Sequence, residues 1–153
     1  MQTFVATLLA ALPALADPPA AWHAPQTFRD WQLDCPGAPC AAHTSVSGAD
    51  GSEVLRVAVT AGPAPALRIT TPLPLFLPDG IVLALGSAPP LAAVWRTCGP
   101  SGCEATLALD PALVATLRRE RAGSVTLTLV EGVKVRLAFS LHGVSAALDA
   151  RRG

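Results

Sequence analysis

The chain has 153 residues, of which 51% are hydrophobic and 14% charged; this length suits one domain and this composition excludes a disordered chain. Lysine and arginine number 11 together, as do aspartate and glutamate, so the zero net charge indicates no basic surface for nucleic acid. The 15 prolines and 12 glycines exclude a long helical bundle, because a proline inside a helix removes a hydrogen bond.

The N-terminus has the pattern of a secretory signal peptide. An apolar run starts at Phe4, breaks at Pro13 and ends in Ala14-Leu15-Ala16, whose small residues suit signal peptidase. The run is shorter than the roughly 20 apolar residues of a transmembrane helix, and no second such run follows. We therefore predict cleavage between Ala16 and Asp17, and export without a membrane span. The alternative is a buried N-terminal helix.

Three segments follow from this interpretation. Residues 1–16 form the signal peptide, and residues 17–26, which are rich in proline and alanine, form a flexible leader. Residues 27–153 form a single domain. In this domain short strand-like runs alternate with turn residues, which predicts a mainly β fold, an antiparallel sandwich or a barrel.

Three runs alternate apolar and polar residues with period two, which is typical of strands with one buried face. Their apolar stripes are Leu55, Val57 and Val59; Val125, Leu127 and Leu129; and Val133, Val135, Leu137 and Phe139. The last two runs, residues 124–131 and 133–140, meet at Glu131-Gly132, where we predict a tight hairpin. Further strands are predicted at residues 28–35, 41–47, 66–71, 81–85, 92–97 and 104–109.

Two short helices are predicted. Asp110 suits the N-cap position and Pro111 the first helical position, so a helix is expected at about residues 111–121, ended by Gly123. A second short helix is expected at residues 144–150, close to the C-terminus. Neither is long enough to change the class of the fold.

Residues 72–78 include three prolines, which lack the N–H group that a central strand donates. This segment is therefore predicted to be an edge or a crossing between sheets. An edge with apolar side chains can accept a partner strand. The candidate contacts with a partner are Leu73, Leu75, Phe76 and Leu77. The alternative is that the segment covers the core.

The four cysteines form two pairs, Cys35 with Cys40 and Cys98 with Cys103, each five residues apart. Four cysteines allow three connectivities. Bridges between the pairs would stabilise more by chain entropy, whereas proline and glycine inside each pair bend the chain and bring the two sulfurs together. We prefer the bridges within the pairs, Cys35–Cys40 and Cys98–Cys103. In an exported protein we expect disulfides rather than zinc, whose paired cysteines are usually about two to four residues apart.

No catalytic, cofactor or metal site is predicted. His23, His43 and His142 lack the spacing of metal ligands, and no nucleophile elbow, phosphate loop or dinucleotide fingerprint is present. Carboxylates occur singly, so no acid and base pair can be assigned. The alternative is an exported enzyme or a thiol–disulfide oxidoreductase whose site is assembled from distant residues.

Four segments in this order resemble the invasion-associated locus B (IalB) family of bacterial periplasmic proteins. They are Trp-x-x-x-Cys at 31–35, LRITTPLPLFLPDGIVL at 67–83, CGPSGCEATLALDPALVATLR at 98–118 and SLHGVSAAL at 140–148. Pro74 and Val144 depart from the family's glycine and phenylalanine. The resemblance implies a β-rich periplasmic domain without known catalytic residues, associated in some pathogens with invasion of host cells. It therefore predicts a binding or envelope-interaction protein whose partner is an unidentified envelope or host protein, in the periplasm, at the outer membrane or secreted.

Overall fold

The computed structural model of the protein describes residues 23–36, 39–72 and 74–151. The predicted signal peptide, its cleavage site between Ala16 and Asp17, and Leu73 lie outside these residues. In chain order the strands are β1 (His23–Phe28), β2 (Trp31–Cys35), β3 (Ala41–Ser47), β4 (Glu53–Thr60), β5 (Ala66–Thr71), β6 (Ile81–Leu85), β7 (Leu91–Ala93), β8 (Trp95–Gly99), β9 (Gly102–Ala108), β10 (Ala122–Thr128) and β11 (Lys134–Ser140). The helices are α1 (Pro111–Arg119) and α2 (Val144–Ala150).

The strands form two antiparallel sheets that share one core. The larger sheet has the order β1-β2-β3-β4-β5-β9-β8, and the smaller has the order β11-β10-β6-β7. Within the described residues neither sheet closes into a barrel, so the fold is a β-sandwich with open edges. The mainly β class predicted from the sequence is confirmed.

The core lies between the two sheets and contains the alternating stripes. Leu55, Val57 and Val59 of β4 are fully buried, and Val57 and Val59 lie opposite the buried Ile69 and Leu67 of β5. Burial of each such side chain contributes about 1.5–3 kcal/mol to the free energy of unfolding. The period-two pattern of β4 therefore predicts its buried face correctly.

The N-terminal part of the domain differs from the prediction. Residues 28–35 do not form one strand; β1 and β2 form a hairpin that turns at Arg29, whose φ angle is 55°. Residues 23–26, predicted as leader, belong to β1. Because β1 is an edge strand that pairs only with β2 among the described residues, it tolerates Pro25, one of the residues whose composition suggested a leader.

The predicted strand at residues 92–97 is two strands in different sheets. The chain leaves β7 of the smaller sheet, crosses at Val94 and enters β8 of the larger sheet. Val94 itself is 66% exposed. Alternation along a sequence indicates which side chains share a face but does not indicate which sheet a strand joins, so this crossing was not visible.

The β10–β11 connection is longer than predicted. β10 ends at Thr128 and β11 begins at Lys134, and the turn between them is closed by a hydrogen bond from the Leu129 N–H to the Val133 carbonyl at 2.8 Å. Val133 is consequently 54% exposed instead of continuing the buried stripe of β11. Helix α1 ends at Arg119, two residues before the predicted end, because Glu120 is already extended toward β10.

Candidate functional site

Both disulfides join cysteines within a pair. Cys98 and Cys103 lie directly opposite each other in the β8–β9 hairpin, and Cys35 is joined to Cys40 across the connection from β2 to β3. Cys103 is fully buried whereas Cys98 is exposed. Each bridge holds the end of a hairpin, which is a structural position.

Residues 72–78 carry the chain from β5 of the larger sheet to β6 of the smaller sheet. Leu75 is 8% exposed and forms an isolated antiparallel bridge with Leu129, and the Phe76 N–H donates to the Thr128 carbonyl at 2.9 Å. Phe76, by contrast, is 42% exposed, and Leu77 is similarly exposed. Of the predicted partner contacts that are described, Leu75 thus packs into the core, and Phe76 and Leu77 are accessible.

A groove of about 760 Å³ opens between β7 and the second half of β9. We call it the edge groove. Helix α1 contributes Leu113 to it, and the β7–β8 crossing contributes Val94. Its apolar wall residues include Leu85, Leu91, Val94, Leu107 and Leu113, and its polar wall residues include Asp79, Arg96, Thr106, Asp110 and Thr116.

The edge groove is bounded by two strand edges that no described strand covers. β7 pairs only with β6, so its other edge is open. β8 pairs with β9 from Gly99 opposite Gly102 to Trp95 opposite Ala105 and extends no further, which leaves the corresponding edge of residues 106–108 open. In antiparallel sheets alternate N–H and C=O groups point away from the paired neighbour. Both edges therefore present backbone donors and acceptors to the groove.

Side chains that face the core reach solvent in the edge groove. Leu91 lies opposite the fully buried Leu83, so it points to the inner face of the smaller sheet, yet it is 37% exposed. Leu107 lies opposite the fully buried Leu67 on the inner face of the larger sheet and is also only partly buried. The interior of the sandwich is therefore uncovered where β7 and β9 separate.

The charged groups around the edge groove differ in their hydrogen bonding. The Asp110 carboxylate caps α1 by accepting from the Leu113 N–H at 2.7 Å. The Asp79 carboxylate accepts from the hydroxyl of Thr128, the last residue of β10, at 2.7 Å. The Arg96 guanidinium makes no hydrogen bond or ion pair with any residue that the structure describes. Of these three charged groups, Arg96 is the one without a hydrogen-bond partner among the described residues.

A polar network lies on the outer face of the larger sheet. His43 is buried, with Nδ1 3.5 Å from an Asp34 carboxylate oxygen. Glu53 accepts from Arg56 at 2.7 and 2.9 Å and from the Ser45 hydroxyl at 2.6 Å. Burial, with a smaller contribution from the Arg56 charge, lowers the pKa of His43, and the hydrogen bonds from Arg56 lower the pKa of Glu53. These contacts describe an ion-pair network that is satisfied internally.

Sequence reasoning missed Leu91, Val94 and Arg96. One local signal existed: Pro89-Pro90 precedes Leu91, and consecutive prolines prevent a long strand there. The partial coverage of β9 by β8 has no local signal, because it depends on where the chain crosses between sheets.

The fold and the two bridges define a class: a two-sheet antiparallel sandwich with a disulfide at the end of each of two hairpins. The sequence profile described as Invasion associated locus B (IalB) protein matches residues 31–152, and the chain belongs to this family. The resemblance stated from the sequence is confirmed. None of the curated proteins compared with the chain matches it.

Among solved structures, the chain is similar to invasion associated protein B from Bartonella henselae. The TM-score is 0.77 at 21% sequence identity, over 85% of this chain and 96% of that chain. At this identity the likeness shows a shared fold. Among the described residues, no helix is long and apolar enough to cross a membrane.

Proposed function

We propose that the protein is an exported, non-enzymatic binding protein of the bacterial envelope that holds its partner in the edge groove. The observation that carries this proposal is that Leu91, which faces the core, is 37% exposed in the groove, where Leu107 is also only partly buried. Burial of apolar surface is favourable by about 25 cal/mol per Å², so a partner that covers exposed apolar side chains gains this free energy. Contiguous exposed apolar patches therefore mark interaction sites. Phe76 and Leu77 are also exposed, in the segment that precedes Pro78 of the groove wall.

Export is supported by the family and by the two disulfides, since disulfides persist in oxidising compartments such as the periplasm. The intact mass of the protein from a periplasmic extract tests it. We expect the mass of a chain that begins at Asp17. A mass that includes Met1 would refute the proposed cleavage.

A thiol–disulfide oxidoreductase is the competing function, and the exposure of Cys98 is the observation in its favour. Thiol titration of the native protein after mild reduction separates the two. Two bridges that resist reduction in the folded state support a structural role. Rapid reduction of Cys98–Cys103 would support redox activity instead.

Binding at the edge groove is tested by photo-crosslinking in intact cells. A photoreactive amino acid replaces Val94, which is 66% exposed in the groove, or Val133, which is 54% exposed in the β10–β11 turn. We expect the photoreactive residue at position 94 to form one crosslinked product with an envelope component, and the residue at position 133 to form none. Equal adducts from both positions, or none from either, would contradict the proposal.

Participation in invasion of host cells is a separate proposal. The family name and the name of the Bartonella henselae protein support it. A deletion strain complemented with the natural chain or with Val94→Asp tests it in an invasion assay. Invasion should return only with the natural chain, and full rescue by both would separate invasion from the groove.

A further inference from the structure

We infer that the edge groove binds the C-terminal end of a peptide chain as an added β-strand, with the terminal carboxylate at Arg96. This inference rests on the proposed function and specifies the chemistry of the partner. It follows from three features of the groove: its open strand edges, the place where β8 begins and the position of Arg96.

The open edges favour a peptide over an acyl chain. An extended peptide beside residues 106–108 would use the unpaired N–H and C=O groups of β9, and one beside β7 would continue the smaller sheet. Main-chain hydrogen bonds of this kind provide affinity in strand addition, whereas a fatty acyl chain uses none of them. Three residues of strand span about 10 Å, so the site takes a short segment.

β8 sets the end point of an added strand that continues the antiparallel pairing of this sheet. A strand antiparallel to β9 and beside residues 106–108 would run in the same direction as β8 and arrive at Trp95, where β8 already occupies the edge of β9. The added strand must stop there. A chain that ends at this point needs no exit path, so a C-terminus fits and an internal segment does not.

Arg96 lies at the point where the added strand ends. The pairing of β8 with β9 shifts in register between Trp95 and Thr97, so Arg96 has no partner in the ladder. Such a bulge redirects a side chain, and Arg96 lines the groove. A guanidinium binds a carboxylate through charge-assisted hydrogen bonds. Asp110 and Asp79 accept from a backbone N–H and a hydroxyl and keep their charges, so a terminal carboxylate is complementary to Arg96 itself, which has no partner among the described residues.

The side chains of the guest are also constrained. Alternate residues of a strand face opposite sides. Those that point inward would meet Leu91, Leu107 and Leu113, so they should be apolar, and those that point outward should be polar. The last residue would lie opposite Thr106 on the outer face and the penultimate one opposite Leu107 on the inner face. The predicted ligand is therefore an alternating tail with an apolar penultimate residue, a polar last residue and a free carboxylate.

Fluorescence polarisation with the full mature chain tests this ligand. The probes are N-terminally labelled hexapeptides that carry every combination of Val, Leu, Ile, Phe and Ala at the penultimate position and the fourth position from the end, with threonine elsewhere. Each is made as a free acid, as a C-terminal amide and with alternate backbone nitrogens methylated. We expect at least one free acid to bind, and its amide and methylated forms to bind about tenfold more weakly.

Two arginine variants complete the test. Arg96→Gln should remove the preference for the free acid, and Arg68→Gln, an exposed arginine on the outer face of the larger sheet, should keep it. Binding that ignores methylation or amidation, displacement only by oleate, or no binding by any peptide would overturn the inference. If no peptide binds but crosslinking at position 94 still captures a partner in cells, the inference is wrong and the proposed function stands. If the crosslink is also absent, both the inference and the proposed function are wrong.

Discussion

The indole Nε1 of Trp31 donates a hydrogen bond to the carbonyl oxygen of Ser140, 109 residues away, at 3.0 Å. Trp31 is fully buried in β2 of the larger sheet, and Ser140 ends β11 of the smaller sheet. Beside them, the Asp30 N–H donates to the His142 carbonyl at 3.3 Å. These contacts join the two sheets near β2 and β11. In strand order these strands lie toward the ends of the sheets that are farthest from β8 and β7 at the edge groove.

Trp31→Phe should therefore destabilise the domain more than a matched tryptophan variant. Phenylalanine keeps an aromatic ring but leaves the Ser140 carbonyl without its donor, which costs about 1–3 kcal/mol. Trp95→Phe, at a half-buried position without such a bond in the described residues, is the control. Urea unfolding measures both, and equal losses would show that the hydrogen bond contributes nothing.

The ring of Phe139 lies over Gly123, its direct partner in the β10–β11 pair, where a Cβ atom would collide with it. Gly123→Ala should cost about 1–3 kcal/mol of stability through overpacking. Gly99→Ala is the control, since nothing lies within 4 Å of its added Cβ. In a double-mutant cycle, Phe139→Leu should relieve part of the Gly123→Ala loss; strict additivity would count against the contact.

His43 makes stability depend on pH. Burial, with a contribution from Arg56, lowers the pKa of His43 in the folded state below the unfolded value of 6.5. The unfolded chain then binds more protons as the pH falls through 6.5, so the free energy of unfolding decreases in that direction. Above about pH 5 the Glu53 carboxylate is ionised in both the folded and the unfolded chain, so it does not add to this pH dependence.

His43→Gln should flatten this dependence between about pH 5.5 and 7.5, as measured by urea midpoints. His142→Gln controls for the loss of an exposed imidazole. An unchanged slope in the His43 variant would mean that another group is responsible.

Leu75 and Phe76 are adjacent but should respond differently to substitution. Leu75→Ser removes a buried apolar side chain and should cost about 2–5 kcal/mol, whereas Phe76→Ser and Leu77→Ser should change stability by roughly 0.5 kcal/mol. Thermal unfolding distinguishes them. A loss of stability below about 1 kcal/mol for Leu75→Ser would show that Leu75 is not a core residue and would support the predicted role as a partner contact.

The elements that the sequence predicts well are those set by local chemistry. Asp110 accepts from the Leu113 N–H, as its N-cap position predicts, and the stripe of Leu55, Val57 and Val59 faces the core. Both depend on residues within one element, so spacing is sufficient to find them.

The elements that were missed depend on distant parts of the chain. Val94 looks like the middle of one strand, and only the arrangement of two sheets makes it a crossing. Likewise, Leu107 alternates like an ordinary core residue, and it is only partly buried just beyond the point where β8 stops opposite Ala105. The candidate site is thus a product of topology, which a single sequence does not encode locally.

Hydrogen exchange of the backbone amides, with and without the crosslinked or peptide partner, tests the edge groove most directly. We expect the outward-facing amides of β7 and residues 106–108 to exchange rapidly in the free protein and to be protected in the complex, while β1 at the opposite edge of the larger sheet is unchanged. Protection confined to β1, or none at β7 and residues 106–108, would contradict the account.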